Sequence, residues 1–65
     1  MKLVVNGESV EVGAATLAEL LEALDYRGSW LATALNGDLV RAEKRPQCVL
    51  SDGDRIEILS PMQGG

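Results

Sequence analysis

The sequence predicts a single small α+β domain, ordered strand–strand–helix–strand–strand and followed by a short tail. Three observations predict it. Two Asn-Gly pairs, at Asn6-Gly7 and Asn36-Gly37, each follow a run of alternating apolar residues. One leucine-rich segment, "TLAELLEAL", repeats its apolar positions with a helical period. A last alternating run, "RIEIL", leads into "SPMQGG". With 65 residues there is room for one core only, and a chain of this size buries roughly 60% of the surface its unfolded form exposes.

The first element, "KLVVNGESVEV", reads as a hairpin. Asn and Gly are the residues that best tolerate positive φ at both positions of a type I′ turn. Leu3 and Val5 share one face before the turn; Val10 and Val12 alternate after it, with Glu8, Ser9 and Glu11 between them. The helix follows with its start signal in place. Thr16 can accept the backbone N–H of Glu19 while Glu19 reaches back to the N–H of Thr16, a capping box. Leu17, Leu20, Leu21 and Leu24 form one stripe at i, i+3, i+4 and i+7, with Glu19, Glu22 and Asp25 off it. The stripe reads as core, and Gly28 as the stop signal.

A strand is expected over 31–35, with Leu31, Thr33 and Leu35 on one face and Trp30, Ala32 and Ala34 on the other. The two outward alanines leave a smooth, weakly apolar patch. Together with outward Leu59 it is a candidate docking surface, the alternative being tolerated surface. "RAEKRPQCVL" reads as a connection, because Pro46 excludes a central strand there. Cys48 and Leu50 are expected to fill the core margin. "SDGD" is a turn, whose paired carboxylates Asp52 and Asp54 need no catalytic explanation. Ile56 and Ile58 then face inward, with Arg55, Glu57 and Leu59 outward.

Composition narrows the function classes. The formal charge is −4, from ten acidic and six basic residues, which opposes nucleic-acid binding because that needs a basic footprint. Arg41, Lys44 and Arg45 cluster, and read as a solvated turn, the alternative being a phosphate site. The single cysteine permits no internal disulfide, and the absence of histidine removes most metal-site and general-base proposals. No metal site is expected, and no apolar run is long enough to suggest a membrane span or signal peptide. A cytoplasmic location is the expectation.

These segments, taken in order, resemble the thiamine-biosynthesis sulfur-carrier family of ubiquitin-like, β-grasp proteins. "VNGE" in the hairpin, "TLAELLEAL" in the helix, "LNGDLV" after the next strand, "DGDRIEIL" at the last strand and the closing "GG" follow that family's order over nearly the whole chain. The resemblance implies a mixed four- to five-stranded sheet wrapped round one main helix. Its first and last strands would be adjacent and parallel at the centre. Residues 1–60 would form the domain and 61–65 a flexible tail. It also implies a protein co-substrate rather than an enzyme. An adenylating enzyme of the ubiquitin-activating type would spend ATP on the carboxylate of Gly65. A sulfur donor such as a cysteine desulfurase would supply the sulfur of a thiocarboxylate, and thiazole synthase would consume it. No cofactor would be bound by the chain itself.

The tail is suited to such a role. Gly64 and Gly65 have no side chain to obstruct a narrow tunnel. The five residues after Ser60 can extend about 16–18 Å. Met62 and Gln63 are the expected contacts with a partner's tunnel wall, and Pro61 limits the conformations lost on insertion. Two other readings share the ending: a sister carrier such as the small subunit of molybdopterin synthase, and a ubiquitin-like modifier or interaction module.

Overall fold

A computed structural model describes residues 1–26 and 31–59. Strand β1 (Lys2–Val5) turns back antiparallel into β2 (Glu8–Glu11). The turn is the type I′ expected from sequence, with φ of 51° at Asn6 and 85° at Gly7. Helix α1 (Leu17–Ala23) follows, then β3 (Ala32–Leu35) and β4 (Asp38–Val40), joined through Asn36 and Gly37 at φ of 50° and 91°. A 3₁₀ helix (Ala42–Gln47) leads by an irregular stretch to β5 (Arg55–Leu59).

The five strands form one sheet in the order β2-β1-β5-β3-β4. The last strand is thus central, parallel to β1 and antiparallel to β3. Alternation decides what each strand gives to the core. Leu3 and Val5 of β1, Thr33 of β3, and Ile56 and Ile58 of β5 face α1, which contributes Leu17, Leu20 and Leu21. Leu3, Leu17 and Leu20 are wholly buried, and truncating such a leucine to alanine costs about 2–5 kcal/mol.

Four details differ from the sequence reading. Residues 38–40 make a strand that the reading of the elements lacked, giving the five-stranded form of the four- to five-stranded sheet the resemblance implies, since the two-residue turn sets Leu35 opposite Asp38 and the ladder continues to Thr33 and Val40. The cap of α1 is shifted: Thr16 Oγ1 does accept Glu19 N–H at 3.2 Å, but Glu19 Oε1 takes the N–H of Ala15, at 2.8 Å. Cys48 and Leu50 clamp the same end from outside, as Cys48 O accepts Leu17 N–H and Leu50 N–H donates to Ala15 O.

The helix stop is also different. Gly28, the expected stop, lies outside the described residues, as does Trp30. The helix has already ended at Leu24, with Asp25 at φ 64°. Asp25 N–H donates to Glu22 O and Tyr26 N–H to Leu21 O, the paired bonds of a Schellman ending. Aspartate serves here because its short polar side chain tolerates the left-handed region better than most.

Arg45 is the largest departure. The basic cluster does not form one solvated turn: Arg45 sits inside the 3₁₀ helix and is 7% exposed. Its Nε donates to Thr33 Oγ1 at 3.1 Å and its Nη2 to the carbonyl of Leu31. Thr33 Oγ1 in turn donates to Val40 O at 2.7 Å. The hydroxyl of Thr33, buried on the inward face of β3, thus has one partner to donate to and one to accept from.

Candidate functional site

The sheet has one face covered by α1 and, among the described residues, one face open. On the open face, alternation presents Arg55, Glu57 and Leu59 from β5 and Ala32 and Ala34 from β3. Ala32 pairs with Leu59 and Ala34 with Glu57 across the ladder, so the candidate docking residues Ala32, Ala34 and Leu59 are brought together as neighbours. Leu39 joins them from β4, opposite Ala34. These residues line a shallow groove of about 90 Å³. Leu39 and Leu59 are 71% and 68% exposed, and covering a leucine side chain is worth about 1.5–3 kcal/mol. Leu39 was not among the sequence candidates. A signal for it existed, because a two-residue turn after Leu35 puts Leu39 on the same face as Ala34.

What holds Leu59 in place is the anchoring of β5. Strand β1 turns away after Val5, so its backbone ladder with β5 ends at Asn6 N–H donating to Ile56 O, at 2.9 Å. The carboxamide of Asn6 then supplies one more rung. Ile58 N–H donates to Asn6 Oδ1 at 2.8 Å, and Asn6 Nδ2 donates to Ile58 O at 3.2 Å. The side chain imitates a peptide group and carries the ladder to the residue before Leu59. Asn36 does similar work on the other side: its Oδ1 accepts Arg55 N–H at 2.9 Å and its Nδ2 donates to Asp54 Oδ1 at 3.0 Å. Sequence reasoning assigned both asparagines to their turns and missed these second roles.

The remaining candidates fall elsewhere. Gly65, Gly64, Gln63 and Met62 lie outside the described residues, as does Pro61. Asp52 and Asp54 tie the turn before β5: Asp52 Oδ1 accepts Lys2 N–H at 2.7 Å and Asp54 Oδ2 accepts Ser51 N–H at 2.8 Å. Cys48 is half-buried, and burial followed by the nearby charge of Asp54 raises its thiol pKa, which disfavours the reactive thiolate. Among the described residues no helix is long and apolar enough to cross a membrane.

A helix laid across one face of a mixed sheet, with parallel first and last strands at its centre, defines a ubiquitin-like β-grasp protein. Solved structures agree. A crystal structure of the thiamine biosynthesis protein ThiS from Geobacter metallireducens superposes with a TM-score of 0.82 at 36% identity, covering all of both chains. A solution structure of a thiamine biosynthesis protein from the same organism gives 0.83 at 35% identity, covering all of this chain and 88% of that one. Among curated proteins, the sulfur carrier protein ThiS of Escherichia coli is 35% identical over the full length of both. That of Thermus thermophilus is 35% identical over 92% of this chain and 94% of its own. The ThiS family model matches residues 3–65. The chain belongs to the ThiS family.

Proposed function

We propose that this sulfur carrier of thiamine biosynthesis bears its cargo on the carboxylate of Gly65, with the β-grasp body as the part its partners grip. The observation that carries the reading is the position of β5. The strand that leads to the terminus lies at the centre of the sheet, pinned on both sides, and its last residue, Leu59, opens onto an apolar groove that no described residue covers. A partner that covers Ala32, Ala34, Leu39 and Leu59 therefore sits beside the point from which the terminal residues depart.

The chemistry follows from the terminal group. A free carboxylate resists acyl substitution because the leaving group would be oxide. In the proposed cycle a carboxylate oxygen of Gly65 attacks the α-phosphorus of ATP held by an adenylating enzyme, and pyrophosphate leaves. A sulfur nucleophile at the oxidation level of sulfide then attacks the acyl carbon and expels AMP, leaving a thiocarboxylate. A cysteine desulfurase is the proposed origin of that sulfur, its persulfide being cleaved to the sulfide level by two electrons from a thiol reductant, and thiazole synthase is the proposed recipient. ATP is consumed on the partner. In this reading Gly64 provides clearance, and Gln63 and Met62 touch the tunnel wall.

A genetic experiment tests the assignment. A strain lacking this gene should require thiazole for growth without thiamine, and the intact gene should remove the requirement. A gene that adds one uncleaved residue after Gly65 should not, since the carboxylate is then displaced by a residue. Full rescue by the extended chain would overturn the proposal.

A further inference from the structure

The groove beneath Leu39 does not stop at the sheet face. Leu39 also lines a second, larger cleft of about 450 Å³, which runs round the free edge of β4 and is completed by Val40, Arg41, Lys44, Gln47 and Cys48. Strand β4 is the last strand on that side of the sheet, so nothing among the described residues pairs with this edge. Arg41 and Lys44 are exposed, and neither side chain has a hydrogen-bond or ion-pair partner among the described residues. Glu43 on the same 3₁₀ turn and Asp38 on β4 are exposed as well, but they do not line the cleft. The result is a pair of cations unpaired among the described residues, over an apolar floor, on a chain whose net charge is −4.

Resting on the carrier reading above, we infer that this cleft receives an acidic segment of the adenylating enzyme, one apolar side chain on Leu39, Val40 and Cys48 and its carboxylates against Arg41 and Lys44. Charge complementarity selects the occupant, since two unpaired cations on an acidic body attract a carboxylate-bearing surface and repel basic ones. A phosphate ligand fits less well. Arg45, the third cation of the sequence cluster, is turned inward to Thr33 and Leu31, and the cleft floor is apolar rather than a cradle of backbone N–H groups. The two-part contact also has a purpose. Apolar burial on the open sheet face is non-directional, whereas a charged contact to one side of it fixes the rotation of the carrier about the contact. The terminus is thereby aimed at one place on the partner.

The test is ATP–pyrophosphate exchange by the cognate adenylating enzyme, with KM and kcat for the carrier measured at low and high salt. The double variant Arg41→Gln/Lys44→Gln is compared with Lys2→Glu, which changes the net charge by the same amount two strands away from β3. Thermal unfolding checks that both variants fold. The inference expects the double variant to raise KM about tenfold at low salt with kcat kept, and to flatten the salt dependence of KM. Lys2→Glu should change KM less than about threefold. Equal effects from both variants would mean unspecific charge, and a fall in kcat at constant KM would mean a role other than docking; either overturns the inference. Saturable shifts of Arg41 and Lys44 resonances by AMP alone would overturn it too, in favour of a phosphate site. No exchange with the unmodified chain would instead remove the carrier reading, and this inference with it.

Discussion

Replacing Asn6 tests whether a side-chain amide holds the strand that leads to the terminus. Asn6→Gly keeps the positive φ of 51° that the turn requires and deletes the carboxamide. Two partly buried hydrogen bonds to Ile58 disappear, at 2.8 and 3.2 Å. Both backbone polar groups of Ile58 lose their partner, because Thr33 and Ile58 are a non-hydrogen-bonded pair of the β3–β5 ladder, as the phase set by Asn36 N–H donating to Arg55 O requires. At about 0.5–1.5 kcal/mol each, the loss is about 1–3 kcal/mol. A domain of 65 residues has a total stability of roughly 3–10 kcal/mol, so the fraction is large. The midpoint of thermal unfolding should fall by roughly 5–20 °C. In hydrogen exchange the Ile58 amide should lose protection before those of α1, since the opening begins locally. Asn6→Asp is the finer probe. It keeps the acceptor for Ile58 N–H but sets a carboxylate against Ile58 O. Only the protonated acid can donate there, so folding should raise that carboxyl's pKa. The stability lost relative to the parent should then be present at neutral pH and recovered below the unfolded value of about 3.9. A midpoint shift under about 2 °C for Asn6→Gly, with Ile58 protection unchanged, would refute the reasoning.

Other consequences can be checked on the isolated protein. Arg45→Met keeps an apolar stem but removes two charge-assisted bonds to Thr33 and Leu31, and urea unfolding should report a loss of about 2–4 kcal/mol; no loss would mean the guanidinium is surface decoration. At Asp25, φ 64° tolerates glycine but not a β-branched side chain, so Asp25→Val should cost about 1–2 kcal/mol more than Asp25→Gly. The raised pKa of Cys48 means that the thiol stays protonated to higher pH in the folded state than in the unfolded one. Its alkylation at pH 8 should be slower than in urea, with the gap narrowing as pH rises past the folded value; equal rates would contradict the burial argument. Leu39→Asp and Leu59→Asp, both on the exposed face, should leave the stability within about 0.5 kcal/mol of the parent while weakening capture by the adenylating enzyme.

Much of this architecture was legible because local signals agreed with one another. Asn-Gly pairs placed the first hairpin and the second turn, Thr16 and the leucine stripe placed α1, and alternation sorted Ile56 and Ile58 from Glu57 and Leu59. The parts that were not legible depend on contacts distant in sequence. Nothing near Asn6 indicates that its carboxamide will meet Ile58, 52 residues on. Nothing local separates Arg45, which turns to the buried hydroxyl of Thr33, from Arg41 and Lys44, which stay in solvent. Asp25 displaced Gly28 as the helix stop because a glycine is preferred, not required, in the left-handed region. Of the candidate site, Ala32, Ala34 and Leu59 came from face alternation alone, while Leu39 needed the register of the second hairpin to be carried two residues further.

The most direct test reads the terminus itself. The purified chain is incubated with the proposed adenylating partner, ATP and a sulfide source, digested, and the C-terminal peptide weighed. The account predicts the exchange of one oxygen for sulfur on that peptide, located at Gly65 and dependent on ATP. A peptide whose terminal carboxylate is unchanged, with sulfur found at Cys48 or nowhere, would contradict it.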